Sequence, residues 1–172
     1  YATGSAAGSN WVGGLVGFND DSTVRNSFAS GDVTGSGISV GGLVGYNALS
    51  IVSNSYATGS VTGNSNVGGL VGYNYSSTVS DSFWDTKTTG QSDGIGHDDS
   101  NQSDNVHGLT SAEMQDPFTF IDAGWDFANV WGKSRADNND GYMVLKVLDD
   151  TAYDYYVQLS DTDTSKTYGA SD

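Results

Sequence analysis

The chain has no cysteine, which excludes disulfide staples, thiol catalysis and Cys-ligated zinc. It is also short of positive charge. Six Lys and Arg stand against 21 acidic residues, for a net charge of −15, and every acid except Glu113 is Asp. A field of that sign repels nucleic acid and anionic membranes, so neither is expected as a partner. It keeps a protein soluble where salt screens self-repulsion, since the Debye length falls to about 3 Å at 1 M salt. A halophilic archaeon is therefore the expected source, with an ordinary acidic surface protein as the alternative. No stretch of 18 apolar residues exists, so membrane insertion by a helix is not expected. The chain opens without Met, basic n-region or apolar h-region, and Tyr1 falls inside a repeat, so a processed protein or a piece of a longer one is expected. No 3.6-residue apolar period lasts even two turns, which argues against helical repeats.

What the sequence does have is repetition. The phrase Val40-Gly41-Gly42-Leu43-Val44-Gly45-Tyr46-Asn47 stands also at Val12–Asn19 and at Val67–Asn74, spacings of 40 − 12 = 28 and 67 − 40 = 27 residues. A second phrase keeps step with it: Asn26-Ser27-Phe28-Ala29, Asn54-Ser55-Tyr56-Ala57, and the degraded Asp81-Ser82-Phe83-Trp84. Self-similarity at this period marks a solenoid, propeller or array. A propeller blade needs about 40 residues or more. Runs rich in Val, Tyr, Phe and Thr, broken by Gly, Asn, Ser and Asp, are strand-and-turn chemistry. The expected fold is all-β: a parallel β-helix of about three 27–28-residue coils over residues 1–90.

Stacking identical positions about 4.8 Å apart fixes which residues meet. Val12, Val40 and Val67 should form one internal column, and Val16, Val44 and Val71 another. Phe18, Tyr46 and Tyr73 should stack as an aromatic column, as should Phe28, Tyr56 and Phe83. The glycines should let the backbone bend tightly or take positive φ, and Asn19, Asn47 and Asn74 should tolerate the left-handed region and hydrogen-bond along the stack. Strict alternation would leave Leu15, Leu43 and Leu70 as an apolar stripe outside, a possible assembly surface covered by the C-terminal region or a neighbouring molecule. A kink at the Gly pair would instead turn them inward. Both readings stand.

The repeat phrase resembles the GLUG motif of large bacterial and archaeal surface proteins, among them adhesin-like ones. The resemblance continues through Ser82-Phe83-Trp84-Asp85-Thr86, Gly108-Leu109-Thr110 and Gly124-Trp125-Asp126-Phe127 with Val130-Trp131-Gly132, in the order of a terminal unit of such arrays. It implies a surface-exposed β-solenoid and transfers no catalytic residue.

Beyond the coils, residues 91–107 are polar and acidic and are expected to be an exposed loop. Residues 108–148 are expected to cap the open coil end. There Thr110-Ser111-Ala112-Glu113 is a capping box that predicts a helix from about Ser111 to Gln115, stopping before Pro117. Strands are expected at Gly141–Leu148 and Tyr153–Leu159, with a turn at Asp149–Ala152. Residues 149–172 depart from the family pattern; this extra strand and tail could complete the cap, cover the Leu stripe or reach into a neighbouring subunit.

Candidate chemistry is sparse, and neither a catalytic residue nor a cofactor is assigned. Asp81 and Asp85 share a coil, as a hydrolase pair would, but read first as turn residues. His97 and His107 flank an acidic loop with Asp98, Asp99 and Asp104, an arrangement that could bind a metal but carries no second-shell signal. Asp137–Gly141 and Asp161–Ser165 faintly resemble calcium loops, Asp161 and Asp163 being the weak candidates, and neither has EF-hand spacing. Asn74-Tyr75-Ser76 and Asn101-Gln102-Ser103 are N-glycosylation sequons. Trp11, Trp84 and Tyr75 could stack on sugars if exposed. The expectation is a non-enzymatic extracellular or cell-surface structural protein, either an adhesive module of a larger surface protein or a subunit that joins copies of itself end to end into a filament. A carbohydrate-binding or polysaccharide-cleaving β-helix, with glycans as partners, is the alternative.

Overall fold

The computed structural model describes residues 1–100, 102–134 and 139–148 and two further strands, Val157–Ser160 and Ser165–Tyr168. The chain divides into two units, Tyr1–Met114 and Gln115–Asp172.

The first unit is a parallel β-solenoid of about four turns. One turn places strands at Ala6–Gly8, Val12–Gly13, Val16–Asp20, Thr23–Arg25 and Phe28–Ala29. The next repeats them at Val33–Gly35, Ile38–Gly41, Val44–Ala48, Ile51–Ser53 and Tyr56–Ala57. The third has Val61–Thr62, Ser65–Gly68, Val71–Tyr75 and one fused strand, Thr78–Asp85. Each strand pairs in parallel with its counterpart one repeat on, so Val12, Val40 and Val67 align, as do Val16, Val44 and Val71. Most of these valines are buried, Val16 and Val67 partly, in two clusters inside the coils.

The corners are made by residues in the left-handed region, three per coil and in register. Trp11, Ser39 and Asn66 form one column, Asp21, Leu49 and Ser76 a second, and Asn26, Asn54 and Asp81 a third that Asn105 extends, all with φ between 44° and 62°. Asn, Asp and Ser tolerate this region through local hydrogen bonding. The left-handed conformation expected at Asn19, Asn47 and Asn74 is corrected here, and of the two roles expected of the repeat glycines, tight bending or positive φ, the second is corrected. The positive φ lies two residues past each of these Asn, and no glycine of the repeat phrase shares it. The glycines serve close approach instead. A Cβ on Gly41 would lie 2.1 Å from the Val44 carbonyl oxygen and 2.6 Å from the Gly72 nitrogen.

The Gly pair also decides the Leu question. The backbone turns there, so that both Leu43 N and Val44 N donate to the Leu70 carbonyl, at 2.8 and 3.0 Å, and Leu15 N and Val16 N donate likewise to Leu43. Leu43 and Leu70 are fully buried and Leu15 packs against the same cluster. The outward assembly stripe of Leu15, Leu43 and Leu70 therefore does not form. Alternation fails at this point because the kink separates two short strands rather than crossing one long one.

Residues 91–107 are likewise not simply a loop. Ile95–Asp98 and Asp104–Leu109 are strands of a shortened last turn, pairing with Val71–Asn74 and with Ser80–Asp85. Leu70 N donates to Gly94 O at 2.9 Å and Asp99 N to Asn74 O at 2.9 Å, which continues the coil-to-coil ladder. The capping box forms as expected: Thr110 N reaches Glu113 Oε2 at 2.8 Å, and Glu113 N reaches Thr110 Oγ1 at 3.3 Å. Its helix, Ser111–Met114, packs against the last strands of the solenoid and belongs to the first unit. The division falls after Met114 and not before Gly108.

In the second unit Pro117 starts a helix, Pro117–Asp122, with Asp116 as N-cap accepting from Phe118 N. Pro is favoured at a first helical position, a signal the reading of Pro117 as a terminator overlooked. Phe120, Trp125 and Trp131 are buried, with successive ring centroids 4.8 and 4.6 Å apart. Trp131–Lys133 pairs antiparallel with Met143–Leu145, a shorter strand than expected. Val157–Ser160 pairs antiparallel with Ser165–Tyr168. The turn expected at Asp149–Ala152 lies outside the described residues.

Candidate functional site

Three ladders run along the solenoid. The first is buried and polar. Asn19 Nδ2 donates to Asn47 Oδ1 and Asn47 Nδ2 to Asn74 Oδ1, both at 2.8 Å. Two serine ladders flank it. Ser22 N and Ser50 N donate to the hydroxyls of Ser50 and Ser77, and Ser27 N and Ser55 N to those of Ser55 and Ser82. Each accepting hydroxyl donates in turn to the carbonyl two residues before it. The side chains of these three ladders thus have hydrogen-bond partners, the condition for holding such groups away from water. These serines recur in phase in the sequence, a signal that could have been read there.

Two aromatic columns run beside them. Phe28, Tyr56 and Phe83 are buried, with Phe28 and Tyr56 stacked at 5.2 Å, Tyr1 on one end and His107 on the other. Phe18, Tyr46 and Tyr73 form an outer column with neighbouring centroids 5.4 and 4.8 Å apart. Trp11 stacks on Phe18 at 5.3 Å and His97 on Tyr73 at 5.0 Å. The two histidines therefore continue the stacks. Among the described residues no group of three or more His, Asp or Glu could hold a metal ion.

At the last turn the outer column meets a carboxylate cluster. Tyr73 donates a short hydrogen bond to Asp99 Oδ2, whose Oδ1 lies 2.9 Å from His97 Nε2. Tyr73 is pushed up to about 12, first by this hydrogen bond, while the same bond and then His97 hold Asp99 below its ordinary 3.8. Burial pushes Asp98 up, but donation from Ser100, Ser103 and Asn74 outweighs it and leaves Asp98 low. Lowered carboxyls contribute stability above 3.8 that is lost as pH falls through their folded values; the raised Tyr73 contributes stability lost between about 10 and about 12. Acid unfolding of the last turn should therefore begin below about pH 4, and Asp99→Asn should return the Tyr73 phenol toward its usual value near 10. Phenolate absorbance across an alkaline titration checks this; an unchanged Tyr73 midpoint in the variant would count against the pairing.

The remaining candidates resolve as follows. Asn74 is fully buried, with its amide nitrogen 2.7 to 3.0 Å from Ser77 O, Asp98 Oδ1 and Ser100 Oγ, so in the folded chain this sequon offers no free amide. Asn101, Asp161 and Asp163 lie outside the described residues. Asp85 is buried as the N-cap of the helix Thr86–Thr89, and Asp81 occupies a corner and accepts from Asn105. Trp11 and Tyr75 are exposed, but Trp84 is not. It is buried in the core with Nε1 donating to Gln91 O at 3.0 Å, so Trp84 is corrected from a sugar-stacking candidate to a core residue.

The fold defines a parallel β-solenoid built from a sequence repeat. The family model of the GLUG motif matches at residues 8–34, 36–62 and 63–83, one match per coil, and the chain is a GLUG-motif repeat protein over that span. No curated protein and no solved structure matches it.

Proposed function

We propose that this structural repeat module works outside the cell as a non-enzymatic surface β-solenoid, extended end to end by further coils of the same kind. The observation that supports this best is the coil-to-coil register. Strand pairs onto strand, Asn onto Asn and Ser onto Ser from one repeat to the next. A further GLUG coil, in the same chain or in another copy, can therefore add by the bonds already used inside the molecule. Adhesion and filament formation are the two uses of such an extended rod. The net charge of −15 accords with a salt-rich exterior.

Negative-stain electron microscopy across a concentration series, in high and low salt, tests the assembly. Fibres lengthening with concentration are the expected result for a filament subunit. Dispersed short rods at every concentration remove self-assembly and leave the adhesive module. The carbohydrate reading rests on exposed Trp11 and Tyr75 but has lost Trp84 to the core. Glycan-array binding and a reducing-end assay distinguish it.

A further inference from the structure

The outer aromatic column is not an isolated row. Register places Asp20, Ala48 and Tyr75 beside Phe18, Tyr46 and Tyr73, one step further along the same strands. Tyr75 is 45% exposed and lies 6.5 Å from Tyr73, ring to ring at 20°. It sits on the third coil, so its exposure does not depend on what precedes Tyr1. Strand register and the Tyr73–Asp99 hydrogen bond put Asp20, Tyr75 and Asp99 around Tyr46, whose phenol is raised first by desolvation and then by Tyr75, Asp99 and Asp20. Trp11 lies beside the column, edge-on to Tyr46 at 5.9 Å. The result is a face of π-electron surface rimmed by the carboxylates of Asp20 and Asp99. Arg25 and Lys87 are the only Lys or Arg before residue 115, and His97 lies at the end of the face, 2.9 Å from Asp99.

We propose that this face docks an extended basic segment of a partner protein, whose Arg and Lys side chains lie over Trp11, Tyr46, Tyr73 and Tyr75 between Asp20 and Asp99. Charge decides the choice of occupant. A cation over an aromatic ring is attracted by the ring quadrupole, most strongly for Arg over Trp or Tyr, and the surrounding negative potential raises its local concentration. A neutral glycan would use the rings but gain nothing from the carboxylate rim. An acidic partner would be repelled by it.

The test uses the full chain and a ten-residue peptide of alternating Arg and Ser, titrated by calorimetry and followed by Trp11 and tyrosine ring shifts in NMR spectra. Binding is expected at low salt, weakening as salt rises, with shifts confined to this face. Tyr75→Ser should weaken it about tenfold, and Asp20→Asn, which removes only charge from an exposed carboxylate, about threefold with a shallower salt dependence. The double variant Asp93→Asn, Asp104→Asn removes more charge elsewhere and should change affinity less than Asp20→Asn. Equal loss in that control would show diffuse attraction and overturn the proposal. So would absence of peptide binding, or ring shifts produced by neutral hexasaccharides and not by the peptide. Circular dichroism confirming an unchanged fold of Tyr75→Ser keeps its affinity loss interpretable, and Asp20→Asn decides the matter should that variant unfold.

Discussion

Replacing Asn47 by Ala is expected to lower the unfolding free energy by about 4 kcal/mol, more than most single substitutions cost. Asn47 is fully buried and stands in the middle of the ladder, accepting from Asn19 and donating to Asn74. Truncation removes two hydrogen bonds and strands one donor and one acceptor. A buried polar group left without a partner costs about 1 to 3 kcal/mol, so two of them add to roughly that total. No water can enter easily to repair the gap, because strands above and below pair through backbone bonds at this register. Urea unfolding followed by circular dichroism measures the effect. A loss under about 1 kcal/mol would mean that the ladder is dispensable. The outward Tyr46 on the same strand supplies the contrast, since its truncation removes a half-exposed ring and strands nothing.

The same contrast explains what the sequence made legible. Residues that repeat with unchanged chemistry were readable because stacking places like on like. Asn19, Asn47 and Asn74, the two aromatic columns and the valine columns all followed from period alone. Two kinds of feature were not. The first is local geometry within one coil. Whether Leu43 turns in or out depends on the backbone around Gly41 and Gly42, and a period of two carries no information on where a strand breaks. The second is the last turn, where the repeat degrades. Ile95 continues the column of Val71, and His97 and His107 continue the columns of Tyr73 and Phe83, but the interval shortens from 27 residues to 97 − 73 = 24 and the Gly-Gly-Leu-Val phrase is gone. Polar composition then read as loop. Histidine in an acidic stretch suggested a ligand, where the register shows a stacked ring. The candidate surface was half visible: Phe18, Tyr46 and Tyr73 were expected to stack. Their company with Tyr75, Asp20 and Asp99 needed the neighbouring row and the unforeseen fourth turn.

Trp84 shows how the end of the repeat is built, and its removal is the second large effect. In the column Ala29–Ala57–Trp84–Gly108, alanine serves wherever another full coil follows, and the indole enters where the coils stop repeating. Glycines make room for it. A Cβ on Gly69 would lie 2.2 Å from Trp84 Cδ1, one on Gly94 2.3 Å from Cζ3, and one on Gly108 2.7 Å from Cζ2. Trp84→Ala is expected to cost roughly 3 to 5 kcal/mol, because three glycines offer no side chains that could collapse into the space. The loss should be local. Amide exchange should quicken through Ile95–Asp98 and Asp104–Leu109, which pair only onto the third coil, while Ile38–Gly41 and Val44–Ala48 keep their protection between two flanking coils. Gly69→Ala completes a double-mutant cycle. The added methyl should be severely destabilising beside Trp84 and far milder in the Trp84→Ala background, giving a coupling above about 1 kcal/mol. Additive effects, or uniform loss of protection along the whole solenoid, would show that the indole is not what ends the stack.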